Sequence, residues 1–317
     1  MPGLETIPLV VVAFYIAWGI GANDETMMIA ASGSSVSVRN LAIIGAIVTC
    51  IGAIAYGEVV EKTIGQGLLT IPVNTRIGLI IVTATALWLT VISWSGWPIS
   101  TSHSTIGAVI GYGIFAGGVS KINWQSLNII FLSWVLSPLI GLAASYILVR
   151  ILDKRIPARD IHSASPGWLY GLLGAALLQE FWQGANNVSN ATAFLSATFE
   201  YPIISRTLGG VALAIGLVTL GRRVLTAAGT RITRIPIYAA LATQVVIVVI
   251  NAVGTIYGIP LSGTHLSVGC LVGAGLGCNA KVDYKMCGSV ILYWLITLPG
   301  SALFSIVTAY ISTLVFP

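Results

Sequence analysis

The chain has 317 residues, 56% of them hydrophobic and only 8% charged, with a formal net charge of +5 and a mean hydropathy of +0.93. A soluble domain carries roughly 25% charged residues, so a water-exposed globule is excluded. The Lys and Arg excess lies in short loops, which excludes a nucleic-acid-binding surface. Apolar runs such as 41–55, 77–94, 129–149, 239–253 and 290–314 approach the ~20 residues that cross hydrocarbon. The alternating ten-residue segments of a membrane β-barrel are not seen, so the pattern predicts an all-α polytopic membrane protein.

Ten membrane segments are predicted, at 8–33, 40–60, 77–96, 98–118 and 125–150, then at 167–195, 205–221, 236–256, 260–278 and 287–315. The start of the chain has no basic n-region or small-residue cleavage site, so it reads as the first membrane segment. That segment carries W-G-I-G-A-N-D at 18–24, followed by Glu25. The second segment ends near Glu58 and Glu61, where a solvated face is expected. The fourth opens on P-I-S-T-S-H at 98–103 and continues through Gly107, Gly111 and Gly113. After the fifth, a loop at 153–165 with Lys154, Arg155, Pro157 and Arg159 separates a first repeat, 1–152, from a second, 166–317. The sixth segment contains Glu180 and then W-Q-G-A-N-N at 182–187, and the ninth opens on P-L-S-G-T-H at 260–265. Cys50, Cys270, Cys278 and Cys287 have no metal-ligand spacing and read as inert thiols.

The polar motifs therefore occur twice, in the same order. Asn23 precedes Asn186 by 163 residues, and His103 precedes His265 by 162. Five segments per repeat is odd, so the second repeat is expected to be inverted relative to the first, with its broken or re-entrant helices meeting the other half's at a midplane site. Under that arrangement one face collects Arg39, Arg150, Lys154, Arg155, Arg159, Arg222, Arg223, Arg231, Arg234, Lys281 and Lys285. The other has Lys62, Arg76, Lys121 and Arg206. The richer face belongs in the cytoplasm, which puts both termini outside. Re-entrant rather than crossing segments at 98–118 and 260–278 would shift the balance only slightly.

A charge at mid-bilayer costs on the order of 2.5–3.5 kcal/mol even on insertion-based scales, so Asp24 is expected to face an ion, a substrate or a partner. Asn23, Asn186 and Asn187 offer both donors and acceptors. Interhelical hydrogen bonding is their plainer role. Ser100-Thr101-Ser102 and Ser262-Gly263-Thr264 each follow a proline and precede an apolar helix, the signature of a helix N-terminus. Free N–H groups and the positive dipole end there suit an anion; simple capping is the alternative. His103 and His265 read as either structural residues or proton and substrate contacts.

The pairs G-A-N-D/G-A-N-N and P-I-S-T-S-H/P-L-S-G-T-H resemble the inorganic phosphate transporter family of cation-coupled phosphate permeases, over almost the whole chain. The resemblance implies inverted repeats and phosphate held near the midplane by Asn23, Asp24, Ser100, Thr101, Ser102, Asn186, Asn187, Ser262, Gly263 and Thr264. It also implies Na⁺ or H⁺ coupling through Asn23, Asp24, Asn186, Asn187 and Asn190, with Glu25 and Glu180 as further acids near the core, and no cofactor. Three departures stand out: Met27 replaces an Asn, Asn187 an Asp, and Lys62 the glutamate of a G-x-x-V-x-E-T-I stretch, with Thr226 there in the second half. The Asn186-Asn187 pair and the short chain are also similar to the family's sulfate-permease branch.

The expected function is a secondary symporter importing phosphate into the cell across its membrane, either alone or as a homodimer. A sulfate permease of the same fold is the alternative. An anion channel needs a continuous weak-binding path, which broken, duplicated helices fit less well. No nucleophile–base pair points to an enzyme.

Overall fold

The computed structural model describes residues 5–23, 37–94, 100–156, 166–221, 233 and 235–315. Among them, helices follow one another as α1 (Thr6–Ala22), α2 (Val38–Gln66), α3 (Thr75–Trp94), α4 (Thr101–Gly117), α5 (Trp124–Arg155), α6 (Pro166–Asn187), α7 (Ser189–Ser196), α8 (Pro202–Gly216, continued by a wide turn over Leu217–Gly221), α9 (Ile237–Ile256), α10 (Gly263–Gly277) and α11 (Tyr284–Val315). Extended pairing among the described residues is confined to two isolated bridges, Leu69 with Ile122 and Thr233 with Val282.

Local chemistry starts these helices. Ser37 caps α2 by accepting from Asn40 N–H at 3.3 Å, and Asn123 caps α5 by accepting from Ser126 N–H at 3.3 Å. Pro202 opens α8, where its missing N–H costs nothing. Some bounds of the expected segments change. The sixth breaks at Val188 into α6 and α7, and α5 runs to Arg155, into what was read as loop. The remainder of that loop, 157–165, lies outside the described residues.

Among the described residues, six helices are long and apolar enough to cross a membrane: Val38–Gln66, Thr75–Ile92, Trp124–Arg155, Pro202–Gly221, Ile237–Ile256 and Cys287–Val315. The other four expected spans are those that carry the polar motifs. α1, α4 and α10 are 17, 17 and 15 residues long in the described chain, and α6 buries Gln179, Glu180, Gln183, Asn186 and Asn187. Polar side chains and caps at membrane depth shorten or depolarise a helix, and protein must then surround it.

That enclosure comes from exchange between the halves. α10 packs along α5, α4 along α11, α6 along α2, and α1 along α8. Small residues let the backbones touch. A Cβ at Gly269 or Gly273 would overlap the carbonyls of Pro138 and Leu142 on α5, and one at Gly107 or Gly111 those of Leu298 and Ala302 on α11. The C-terminal end of α4 lies near the start of α5, with Gly113 against Ile122. That of α10 lies toward the end of α5, with Gly277 against Val149. The two short helices thus leave their common meeting point in opposite directions. Around them, α5 and α11 turn Ile129, Leu132, Val135, Leu139, Leu292, Leu295, Leu303 and Val307 outward, the face a lipid solvent requires.

Candidate functional site: two helix N-termini meeting inside the bundle

The starts of α4 and α10 have the same construction. Ser100 Oγ accepts from His103 N–H at 3.3 Å, and Ser262 Oγ accepts from His265 N–H at 3.3 Å. In each helix the next two N–H groups, of Thr101 and Ser102 and of Gly263 and Thr264, have no acceptor among the described residues. The Thr101 and Thr264 side chains are half-buried. Such ends carry the positive pole of the helix dipole and unsatisfied donors.

The histidines join the two starts. Their rings lie 4.3 Å apart. His103 stacks on Trp134 of α5 at 3.6 Å, and His265 on Trp294 of α11 at 3.3 Å. Ser100 Oγ also meets His103 Nδ1 at 2.8 Å, while both ring nitrogens of His265 lack a partner among the described residues. The sequence contained a signal for the tryptophans that motif reading passed over: each stands in its repeat's last long segment, a few residues before Pro138 or Pro299.

The non-helical stretch leading into α10 is held by one backbone bond, Ile259 N–H to Gly254 O at 2.8 Å, and otherwise by side chains. Asn186 Nδ2 donates to Ile259 O and to Thr255 Oγ1, both at 3.0 Å, and its Oδ1 accepts from Leu261 N–H at 3.1 Å. Trp134 Nε1 donates to Pro260 O at 2.8 Å. Ser102 Oγ donates to Leu261 O at 2.9 Å and accepts from Asn190 Nδ2 at 3.3 Å. Unsatisfied backbone groups at this depth would cost several kcal/mol each. Here a first-half hydroxyl and indole and one second-half amide satisfy them, so residues from both halves of the chain form one cluster.

The expected site residues divide accordingly. Ser100, Thr101, Ser102, Asn186, Asn190, Ser262, Gly263 and Thr264 lie in or beside the cluster. Asn186, with three hydrogen bonds and 1% exposure, is a brace of the loop. Asn190 leaves its Oδ1 without a hydrogen-bond partner among the described residues. The buried Asn187 side chain makes no hydrogen bond among them. Asn23 is exposed at the end of α1, its Nδ2 turned back to Gly19 O at 2.9 Å. Asp24 and Glu25 lie outside the described residues. Glu180 is buried between α6 and α2, accepting from Thr49 Oγ1 at 2.6 Å.

One expectation is overturned. Glu61 is not on a solvated face: it is 2% exposed, accepts from Thr192 Oγ1, and lies 3.8 Å from Arg206 Nε. Arg206, counted above as a loop charge, is buried and also pairs with Glu58 at 2.8 Å. α2 runs on past the expected end of its segment to Gln66, and α7 and α8 cover its last turns.

Comparison with known proteins gives a consistent answer. Residues 20–305 match a family model described as the phosphate transporter family. A phosphate permease of Pyrococcus furiosus is 26% identical over 381 aligned positions, covering 92% of each chain. A phosphate permease of Chlamydia trachomatis is 25% identical, covering 96% of this chain and 97% of its own. The chloroplastic inorganic phosphate transporter 2-1 of Arabidopsis thaliana is 23% identical over 95% of this chain and 71% of its own. A solved structure of a protein called the sodium-dependent phosphate transporter superposes with a TM-score of 0.87 over 99% of this chain and 100% of that one, at 22% identity. That likeness establishes the fold.

Proposed function

This chain belongs to the phosphate transporter family, and on that premise we propose that it imports inorganic phosphate across the cell membrane by symport with Na⁺ or H⁺. The observation that carries the reading is the meeting of two capped helix N-termini, one from each half, with free N–H donors at both. A tetrahedral oxyanion bound there receives backbone donors from opposite sides, with hydroxyls from Thr101 and Thr264, and needs no Lys or Arg.

In this reading the two repeats, 1–152 and 166–317 joined by 153–165, are inverted relative to one another. The exchange of α4 and α10 between the long helices supports this, as do their opposite directions along α5. Inverted repeats give a midplane site alternating access to either side. Both termini lie outside. Asn23, Asp24, Asn186, Asn187 and the two Ser/Thr motifs form the substrate set, and Asn186 acts through the loop it braces. Asn190, with its spare Oδ1, joins Asn23, Asp24, Glu25, Asn186, Asn187 and Glu180 on the coupling side. Sulfate is the second reading, favoured by the backbone N–H donors of the two helix starts and by Asn187 standing where an acid would accept a proton. Phosphate differs in carrying a P–OH proton that a carboxylate such as Asp24 can accept.

Uptake of labelled phosphate and of labelled sulfate into proteoliposomes, under imposed Na⁺ or H⁺ gradients, tests this. Phosphate accumulation driven by one gradient is expected. Asp24→Asn, which removes the titratable oxygen, is expected to abolish accumulation while leaving membrane insertion intact. Accumulation of sulfate alone transfers the assignment to the second reading, and accumulation of neither anion under either gradient removes it.

A further inference from the structure

The two helix starts are not chemically equal. Thr101 on α4 corresponds to Gly263 on α10, 162 residues later, so the second half lacks a hydroxyl at that position. Gln183 on α6 occupies the vacated space. A Cβ at Gly263 would fall on Gln183 Nε2, with the rest of the amide within 3.0 Å. The residue 163 before Gln183, in register with the two Asn motifs, is Ile20, which has nothing to donate.

The orientation of this amide is determined by its neighbours. Gln183 Oε1 accepts from Asn251 Nδ2 at 2.9 Å and from Gln179 Nε2 at 3.2 Å. With the oxygen engaged twice by donors, the NH₂ is the end that faces α10. Gln183 is 9% exposed, and its Nε2 has no acceptor among the described residues. The unpaired N–H groups of Gly263 and Thr264 lie beside it. Donors gathered on donors at the positive end of a helix dipole repel one another unless an acceptor sits between them.

Resting on the reading that the helix starts bind the transported oxyanion, we propose that Gln183 is an anion-binding residue whose amide supplies the donor that Gly263 lacks. Gly263 is then required to be glycine because any side chain there displaces the amide. The two halves thus deliver equivalent donors by different routes, a hydroxyl on the helix in the first and an amide from α6 in the second.

Equilibrium binding of labelled inorganic phosphate and of labelled sulfate to the purified full chain, with melting temperature measured in parallel, tests the proposal. Gln183→Glu keeps an oxygen for Asn251 and Gln179 but sets a carboxylate against the helix start. It is expected to keep or raise the melting temperature and to weaken anion binding at least about tenfold, the effect of losing one hydrogen bond to a charged group. Gln183→Ala with Gly263→Ser clears the space and restores a hydroxyl on the helix; it is expected to bind more tightly than Gln183→Ala alone. If the wild type binds neither anion, the transport reading falls. If the wild type binds and Gln183→Glu binds equally well, or if the double variant regains nothing while remaining folded, Gln183 is a packing residue and the proposal is overturned.

Discussion

Arg206 is 6% exposed and bridges Glu58, at 2.8 Å, and Glu61, at 3.8 Å. Glu58 also pairs with Lys62 at 2.6 Å on the exposed side. The outer pairs are partly solvated and contribute little. The inner one differs, because removing one member of a buried pair leaves the other uncompensated and costs roughly 3–5 kcal/mol, while replacing both members can be neutral. Arg206→Met is therefore expected to lower thermal stability strongly, and Arg206→Met with Glu61→Gln to recover most of the loss. A double variant no more stable than the single one would show that Arg206 does not serve to neutralise Glu61. Both charges lie in the polar part of the chain's charge pattern, and neither composition nor spacing distinguishes a buried pair from two solvated ends. That distinction needs α8 against α2, a contact between residues 145 apart in sequence.

At the scale of elements, glycine spacing does for the short helices what apolar faces do for the long ones. Gly107 and Gly111 on α4 press on the α11 backbone, and Gly269 and Gly273 on α10 press on that of α5. Ser301 Oγ adds a hydrogen bond to Ser104 O at 2.5 Å. Gly111→Leu and Gly273→Leu must each separate a helix pair, and overpacking of this kind costs about 1–3 kcal/mol or more. Both are expected to lower the melting temperature and abolish uptake. Gly174, on α6, has open space around its Cβ position, so Gly174→Ala is expected to gain up to about 1 kcal/mol from helix propensity. Equal tolerance at all three positions in thermal melts would refute the packing role. The repeated glycines could be read in the sequence as interruptions of helix; that they are contact surfaces followed only from seeing which carbonyls they meet.

The whole molecule is a set of long apolar helices around short polar ones. The orientation proposed for it in the membrane rests on charge: Lys154 and Arg155 end α5, and Tyr238 Oη donates to Asp153 at 2.6 Å at the start of α9. In the proposed topology the excess of Lys and Arg on this face puts it in the cytoplasm. A cysteine at Lys154, in a background lacking the four native cysteines, is expected to resist impermeant thiol reagents added outside intact cells and to react after permeabilisation. Reaction in intact cells would reverse the orientation.

Composition alone determined that this chain lives in a membrane as helices, because few charges and long apolar runs admit no other solvent. Duplicated motifs determined the family and pointed to the two helix starts, since a proline followed by hydroxyls is a local signal with a local cause. Tertiary structure alone decided what those residues touch. Asn186 proved to brace the loop before α10, Ser102 to reach across to the other half's Leu261, Glu61 to be enclosed, and Gln183 to stand where Gly263 has no side chain. Each of these depends on segments tens to well over a hundred residues apart, brought together by helix packing, and no periodicity within one segment records its neighbour.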